Sequence, residues 1–272
     1  MTLHGYDLEG ITLDDCLMQR ARLKNVDLSG VRIRGSMLVD VEIDGEIQNL
    51  IVNGVDVAPL VEAELDRRDP ERTKMHPTDA AGFREAWDII ERRWAETVER
   101  ARDLDAEQLH ERVDGEWSFI ETLRHLVFAT DAWVRRALLG DPSPYSPLDL
   151  PHEDMAAAPG VVPNDADARP TLEEMLELRR DRMASMRRVV DELTDEQLAG
   201  HTTVVEGPGY PSPRSFPVAG VLETILNEEW MHRQYAERDL AVLERRKAAL
   251  TEETRATTGG GAIGSRRAID PD

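Results

Sequence analysis

An apolar residue recurs at every fifth position along the first 45 residues of the chain. Neither the α-helical period of 3.6 residues nor the strand period of 2 produces such a ladder. A short repeat that cannot bury its own apolar side chains has to stack on neighbouring repeats, so the spacing restricts this segment to a repetitive, coiled architecture. The ladder consists of Leu8, Leu13, Met18, Leu23, Leu28, Ile33, Leu38 and Ile43, and two positions earlier stand Tyr6, Ile11, Cys16, Ala21, Val26, Val31, Ser36 and Val41.

Over residues 6–46 this spacing resembles the pentapeptide-repeat proteins, whose chain coils into a right-handed β-helix with four repeats per turn. The resemblance implies a short β-helix of about two coils within residues 1–57, with Cys16 on an inward-facing position. Some longer members are acidic DNA mimics, but here basic residues such as Arg20 and Arg32 interrupt the acidic ones. We therefore expect a packing or dimerising appendage. Near its end, Asn53-Gly54 predicts a tight turn.

The composition argues against several classes of partner. A formal net charge of −21 over 272 residues repels phosphate groups, which disfavours nucleic acid and anionic membrane surfaces as partners. No apolar run approaches membrane-spanning length, and no secretory signal pattern precedes the ladder. A single cysteine, Cys16, excludes an internal disulfide and fits a reducing compartment. These features predict a cytoplasmic protein. Only three of the 33 basic residues are lysines, which suggests a bacterial genome rich in G and C.

The remainder of the chain has the helical period. Four long helices joined by two long connections, at 141–170 and 200–217, indicate a mostly α fold: a four-helix bundle over residues 78–248 with its ligand site between facing helices. The tail, residues 249–272, has no apolar period and is expected to be disordered. A short helix with a connector is predicted over residues 58–77. The first bundle helix is capped by Thr78 or Asp79, the second is capped by Ser118, the third begins at Thr171, and the fourth runs from about Val218 to Ala248. The first of these helices carries an apolar stripe of Phe83, Trp87, Ile90, Trp94 and Val98.

Two of the seven histidines differ from the others because each lies inside an apolar helix. Around His125, small or polar residues share its face of the second helix, which leaves room for a cavity. Taken alone, His125 is more simply interpreted as a hydrogen-bonded core histidine. His232 lies on the fourth helix. The remaining histidines fall in loops, connections or terminal segments, and one of them, His152, lies where the long connection could close over a site: His4, His76, His110, His152 and His201.

Two glutamates lie one helical turn before His232. Glu228 is four residues away and Glu229 three, and both spacings bring side chains together on a helix. A carboxylate that faces the core requires a cation or a donor, so nitrogen, nitrogen and oxygen ligands from two helices would suit a divalent transition metal. Periodicity leaves the choice open: Glu229 is nearer the centre of the apolar stripe, and Glu228 has the better ligand spacing. An exposed acidic pair beside a core histidine is the alternative.

The segments "GEWSFIETLRHLVFATDAW" and "NEEWMHRQYAERDL" resemble the DinB-like superfamily, over roughly residues 78–247. In that superfamily a histidine on the second helix and an H-x-x-x-H or E-x-x-x-H pair on the fourth bind zinc, nickel or a similar ion. The resemblance implies His125, Glu228 and His232 as ligands. The His, Glu, His order is similar to that of the mycothiol-dependent maleylpyruvate isomerases, although nothing here matches their C-terminal domain with its catalytic arginine.

The resemblance also implies a function. We expect a cytoplasmic metalloenzyme, with zinc favoured over nickel or iron, that transfers a low-molecular-weight thiol to a small electrophile. The sequence identifies no catalytic residue, but Glu121, one turn before His125, is a candidate acceptor for that ring, and Tyr235 is a candidate donor to the open metal positions. The alternatives are a metal-dependent hydrolase of the same fold and a non-catalytic stress protein that binds a metal or ligand. A homodimer is a further expectation.

Overall fold

The computed structural model of the chain describes residues 3, 5–24, 26–152, 155 and 160–259, with side chains described to residue 251. The chain divides into two units, Met1–Gln48 and Asn49–Asp272.

The five-residue period of the first unit has a counterpart in its backbone. The backbone angle φ is positive at every fifth position that the structure describes, from Gly5 (67°) to Gly45 (150°). Tight turns recur every ten residues, closed by hydrogen bonds such as that from the Ile11 N–H to the Leu8 carbonyl at 3.0 Å. The residues with positive φ are Gly5, Gly10, Asp15, Arg20, Gly30, Gly35, Asp40 and Gly45.

The predicted β-helix is not present among the described residues of this unit. They contain no strand, and every ladder side chain is 45–67 % exposed. Cys16, expected to point inward, is exposed as well. The turns depend on hydrogen bonds between residues three apart. Stacked coils would also need hydrogen bonds between residues about twenty apart, and the five-residue pattern does not by itself produce such long-range bonds. The five-residue repeat is therefore visible in the backbone, and the enclosed core expected from it is not.

A hairpin and a short helix open the second unit. Strands β1 (Ile51–Val52) and β2 (Val55–Asp56) pair antiparallel, with Asn53 and Gly54 both at positive φ in the connecting turn, as the Asn-Gly pair predicts. Helix α1 (Ala58–Arg68) follows and ends before Pro70, also as predicted. A 3-10 helix, Pro70–Met75, then leads toward the bundle.

Three of the four bundle helices, α2, α4 and α5, begin at a side-chain cap. Asp79, Ser118 and Thr171 accept hydrogen bonds from backbone N–H groups of the first turn, which would otherwise lack partners. The second bundle helix changes from α to π geometry part-way along. The elements are α2 (Ala80–Ala101), α3 (Ala106–Leu109), α4 (Phe119–Ala129) continued by the π-helix Thr130–Leu138, α5 (Leu172–Glu192), α6 (Asp195–Leu198) and α7 (Val218–Gly259).

The four long helices form the bundle that the periodicity predicts. Helix α2 packs against α5 and α7, and α4 packs against the same two helices on the other side. Their apolar stripes meet in one core, which buries the predicted residues Phe83, Trp87, Ile90 and Trp94 almost completely. Because α4 and α7 are neighbours, residues in the middle of each face one another.

The last helix is longer than predicted. The predicted end lies near Ala248, but α7 continues to Gly259. The segment "TEETRATTG" lacks apolar periodicity, but it continues a helix that already exists, and propagation is far easier than nucleation. The expectation of disorder for residues 260–272 lies outside the described residues. Among the helices that the structure describes, none is both long enough and apolar enough to cross a membrane.

Candidate metal centre

The packing of α4 against α7 brings the three predicted ligands together. His125 comes from α4, and Glu228 and His232 come from successive turns of α7. One ligand atom from each of these residues lies within 4.8 Å of the others, a group that could hold a metal ion. His125 is 4 % exposed, whereas Glu228 and His232 are half-buried. The centre is therefore at the edge of the core and not inside it.

The hydrogen bonds of the two histidines determine which ring nitrogens face the centre. Nδ1 of His125 lies 3.0 Å from the carbonyl oxygen of Leu150, and Nδ1 of His232 lies 2.9 Å from the carbonyl oxygen of Glu228. A carbonyl oxygen can only accept, so each Nδ1 carries a proton and donates it. In a neutral ring the other nitrogen, Nε2, then presents a lone pair.

The contact between His125 and Glu228 requires a positive charge. Nε2 of His125 lies 3.2 Å from Oε2 of Glu228. A neutral Nε2 and a carboxylate oxygen are both acceptors, so at this distance they repel unless a proton or a cation lies between them. The same oxygen of Glu228 lies 3.2 Å from Nδ1 of His232. The residues present thus fit a bound cation by their donor chemistry.

The pKa shifts favour the ligand forms of two of these residues. Burial lowers the pKa of His232 to about 4, the charge of His125 acts in the same direction, and Glu228 opposes them only in part. Burial raises the pKa of Glu228, but its contact with the His125 ring and its proximity to the other histidines outweigh burial, so that its pKa is lowered overall. At neutral pH the centre therefore offers a neutral imidazole at His232 and an ionised carboxylate at Glu228.

The structure distinguishes the roles of Glu228 and Glu229, which periodicity alone left open. Glu229 is 1 % exposed and points to the neighbouring α5, where Arg179 binds it through two hydrogen bonds of 2.7 Å. The guanidinium of Arg179 also lies over the ring of Trp94, 5.5 Å from its centroid. The alternative of an exposed acidic pair is wrong, because Glu229 is a buried ion-pair partner and Glu228 faces the two histidines.

Aromatic side chains surround the two imidazoles. The ring of Trp117, from the loop before α4, lies 4.6 Å from the ring of His125 and 6.0 Å from that of His232. Tyr235, the candidate donor, lies one turn beyond His232, with its ring edge-on at 6.0 Å. Tyr235 thus lies beside the centre, and its role as a donor stays a prediction, whereas Trp117 is not among the residues predicted from the sequence. The tryptophan's position directly before the cap Ser118 was the available signal.

Glu121 does not orient His125, contrary to the sequence expectation. Its carboxylate accepts a hydrogen bond from the Ser118 N–H and forms an ion pair with Arg112. It completes the capping box at the start of α4, a role that the spacing Ser118-x-x-Glu121 also predicts. The partner of the His125 ring is the Leu150 carbonyl in the long connection, and a backbone acceptor leaves no sequence signal.

Comparison with known proteins places this arrangement in a family. A family model described as the DinB superfamily matches residues 89–236, more than half of the chain, including all three predicted ligands. The chain belongs to the DinB superfamily. No match was found among curated proteins or among solved structures. Metal binding is typical of the DinB superfamily, and His125, Glu228 and His232 form the group that could bind a metal here.

Proposed function

We propose that this DinB-superfamily protein is a metal-dependent enzyme that transfers a low-molecular-weight thiol to a small electrophile. The observation that supports the proposal most directly is the donor set of His125, Glu228 and His232, in which Nε2 of His125 and Oε2 of Glu228 lie 3.2 Å apart, a contact that a shared cation would stabilise. Two imidazoles and one carboxylate would hold a divalent ion through three protein ligands and leave room for a further ligand. A thiol is a suitable ligand for that position.

Each residue around the candidate metal centre would have a different role in this reaction. The histidines supply neutral nitrogen atoms, and Glu228 supplies a negative charge that reduces the charge of the site. The Leu150 carbonyl holds the His125 ring in the ligating tautomer. A divalent ion held there, with zinc favoured and nickel or iron as alternatives, supplies the Lewis acidity that favours a thiolate over a thiol near neutral pH. Trp117 covers one side of the imidazoles and excludes water from it.

The test combines metal analysis with turnover. We expect one divalent ion per chain in the purified protein, and consumption of an electrophile such as 1-chloro-2,4-dinitrobenzene only when a thiol is added. Protein that binds the ion but consumes an ester or amide without any thiol would instead support the hydrolase. Protein that binds the ion and turns over neither class of compound would contradict an enzymatic role.

A further inference from the structure

The ring of Trp117 contacts both imidazoles of the candidate metal centre. Its centroid lies 4.6 Å from that of His125 and 6.0 Å from that of His232, and the planes of Trp117 and His232 are within 22° of each other. The two imidazoles lie 4.7 Å apart. Among the ring pairs of the described residues, Phe128 adjoins only His125 of these two, and Tyr235 adjoins only His232. Trp117 therefore connects the histidine on α4 to the histidine on α7.

Packing in the apolar core does not account for the position of this ring. Of the five tryptophans in the chain, Trp87, Trp94 and Trp230 are buried in the core, and Trp133 is half-buried and packs against it. Trp117 is also half-buried, but within the part of the chain that the structure describes it belongs to none of the apolar clusters. The rings that it contacts are instead the two imidazoles.

Hydrogen bonds fix one nitrogen of each imidazole and leave the tilt of the ring open. Nδ1 of His125 donates to the Leu150 carbonyl, and Nδ1 of His232 donates to the Glu228 carbonyl. A side chain held at one ring nitrogen can still tilt about its rotatable bonds, and tilting moves the other nitrogen. Contact with a large flat ring limits the tilts that are accessible without a clash. The indole of Trp117 therefore restricts both imidazoles at once.

The backbone that carries Trp117 is fixed on both sides. Before it, Asp114 (52°) and Gly115 (80°) both have positive φ, and the Glu116 N–H donates to the Val113 carbonyl at 2.9 Å, which closes a tight turn. Directly after it stands the N-cap of α4. The indole thus has the defined backbone support that a side chain needs if it is to orient others.

We propose that Trp117 is a positioning residue, whose indole ring holds both imidazoles in the orientation in which their remaining nitrogens bind one ion together with Glu228. The site is then formed before the ion arrives, so that less conformational freedom is lost on binding. The inference rests on the metal centre of the proposed function and not on the thiol transfer.

The first test compares two replacements of Trp117 by their affinity for Co²⁺. Metal-free full-length protein is titrated with Co²⁺, and the visible absorption of the bound ion reports the arrangement of its ligands. Trp117→Leu keeps an apolar side chain without a ring, so we expect about a 10-fold loss of affinity and a changed spectrum, as loss of a residue that orients ligands causes. Trp117→Phe keeps a ring, so its affinity and spectrum should be close to those of the wild type.

Trp133→Leu is the matched control. Trp133 is half-buried like Trp117, but its described ring contacts are with Tyr210 and Phe216. Its replacement should lower the midpoint of thermal unfolding and leave the affinity for Co²⁺ and the spectrum unchanged. Circular dichroism gives the helical content of each variant, so that affinities are compared between folded proteins.

The second test locates the indole relative to the bound ion. Ni²⁺ quenches the fluorescence of a tryptophan that lies close to it, so saturating the wild type with Ni²⁺ should remove part of the emission. This quenching should be largely lost in Trp117→Phe and retained in Trp133→Phe. If Trp117→Leu does not fold, this measurement and the affinity of Trp117→Phe decide the assignment.

The outcomes separate this inference from the proposed function. If Trp117→Leu binds Co²⁺ with the affinity and spectrum of the wild type, or if Trp117→Phe is impaired as much as Trp117→Leu, the ring does not position the ligands and this inference is wrong. Full quenching by Ni²⁺ in Trp117→Phe would also overturn it. If the wild type binds Co²⁺ but transfers no thiol, only the proposed function fails, and if it binds no divalent ion, both fail.

Discussion

A single carboxylate oxygen, Oε2 of Glu228, lies 3.2 Å from a nitrogen of each imidazole in the candidate centre. If a cation lies between Oε2 of Glu228 and the Nε2 atoms of the two imidazoles, each of the three residues is a ligand, and losing one should matter far more than losing a neighbour. His125→Ala is expected to abolish metal retention. Glu228→Gln should weaken it, since a neutral amide oxygen is a poorer ligand, whereas Glu228→His should retain the ion. Elemental analysis after dialysis measures this. Unchanged metal in His125→Ala would make His125 a core histidine.

Glu229 provides the comparison at the adjacent position. A solvent-exposed glutamate would contribute little beyond surface charge, but Glu229 is buried and bound by Arg179 through two hydrogen bonds. Glu229→Gln leaves the buried guanidinium without its counter-charge, so the free energy of unfolding should fall by about 3–5 kcal/mol. Urea denaturation gives this value. Metal content at a temperature where the variant is folded should be unchanged, and loss of metal without loss of stability would assign the ligand to Glu229.

Asp149 is a buried carboxyl group that the proposed chemistry does not use. It is fully buried, and neither of its carboxyl oxygens has a hydrogen-bond partner in the described part of the chain. Burial raises its pKa from 3.8 to about 8, the charge of Asp131 on the π-helix adds to this, and Arg182 of α5 and Arg124 of α4 oppose it. At neutral pH the folded protein therefore holds a proton on Asp149 that the unfolded chain has lost.

This difference predicts how stability changes with pH. Between the unfolded pKa of 3.8 and the folded pKa of about 8, the folded state binds one more proton than the unfolded state, so the contribution of Asp149 to the free energy of unfolding falls as pH rises and levels off above about 8. Asp149→Asn should remove that slope and become more stable relative to the wild type between pH 5 and pH 8. Urea denaturation over this range measures it, and parallel curves for the two proteins would show that Asp149 is ionised when folded.

At the scale of elements, a capping box closes the start of α4, the helix that carries His125. Ser118 and Glu121 form reciprocal hydrogen bonds with each other's backbone, and Arg112 binds the same carboxylate. Glu121→Ala should therefore lower the free energy of unfolding by about 1 kcal/mol, as loss of a helix cap does, and leave metal affinity unchanged. Ser118→Ala should have an effect of similar size, and the double variant should lose less than the sum, because both changes remove one capping box. A large fall in metal affinity for Glu121→Ala would restore its expected role beside His125.

At the scale of the whole molecule, the two units are expected to be separable. All three candidate ligands and the core that positions them lie within Asn49–Asp272, and the ladder of the first unit is exposed, the kind of apolar surface that marks an interaction site. Deleting residues 1–48 should leave one metal ion per chain and should lower stability or change the oligomeric state, consistent with a dimerising appendage. Light scattering and elemental analysis measure both. Loss of the metal from a truncated protein that remains helical would contradict the division of roles.

Local and periodic features of the fold could be predicted from the sequence, because their causes are local. The apolar stripe of α2, the caps Ser118 and Thr171, the Asn53-Gly54 turn and the i, i+4 pair on α7 each depend on residues a few positions apart. The same reasoning indicated that His125 and His232 lie on inward-facing positions of two bundle helices, since each stands within an apolar helical segment.

The remaining features depend on contacts between residues far apart in sequence, and only the tertiary structure decided them. Glu229 faces inward because Arg179, fifty positions earlier, provides its counter-charge. Glu121 faces Arg112 and does not contact His125. The His125 ring is bound by the backbone carbonyl of Leu150. The ladder in residues 1–48 has the predicted period but no enclosed core among its described residues. The spacing of a repeat determines the turns within it, because those turns depend on residues close together in sequence. Burying the apolar ladder requires a second surface to pack against, and the spacing along the chain does not show which surface that is.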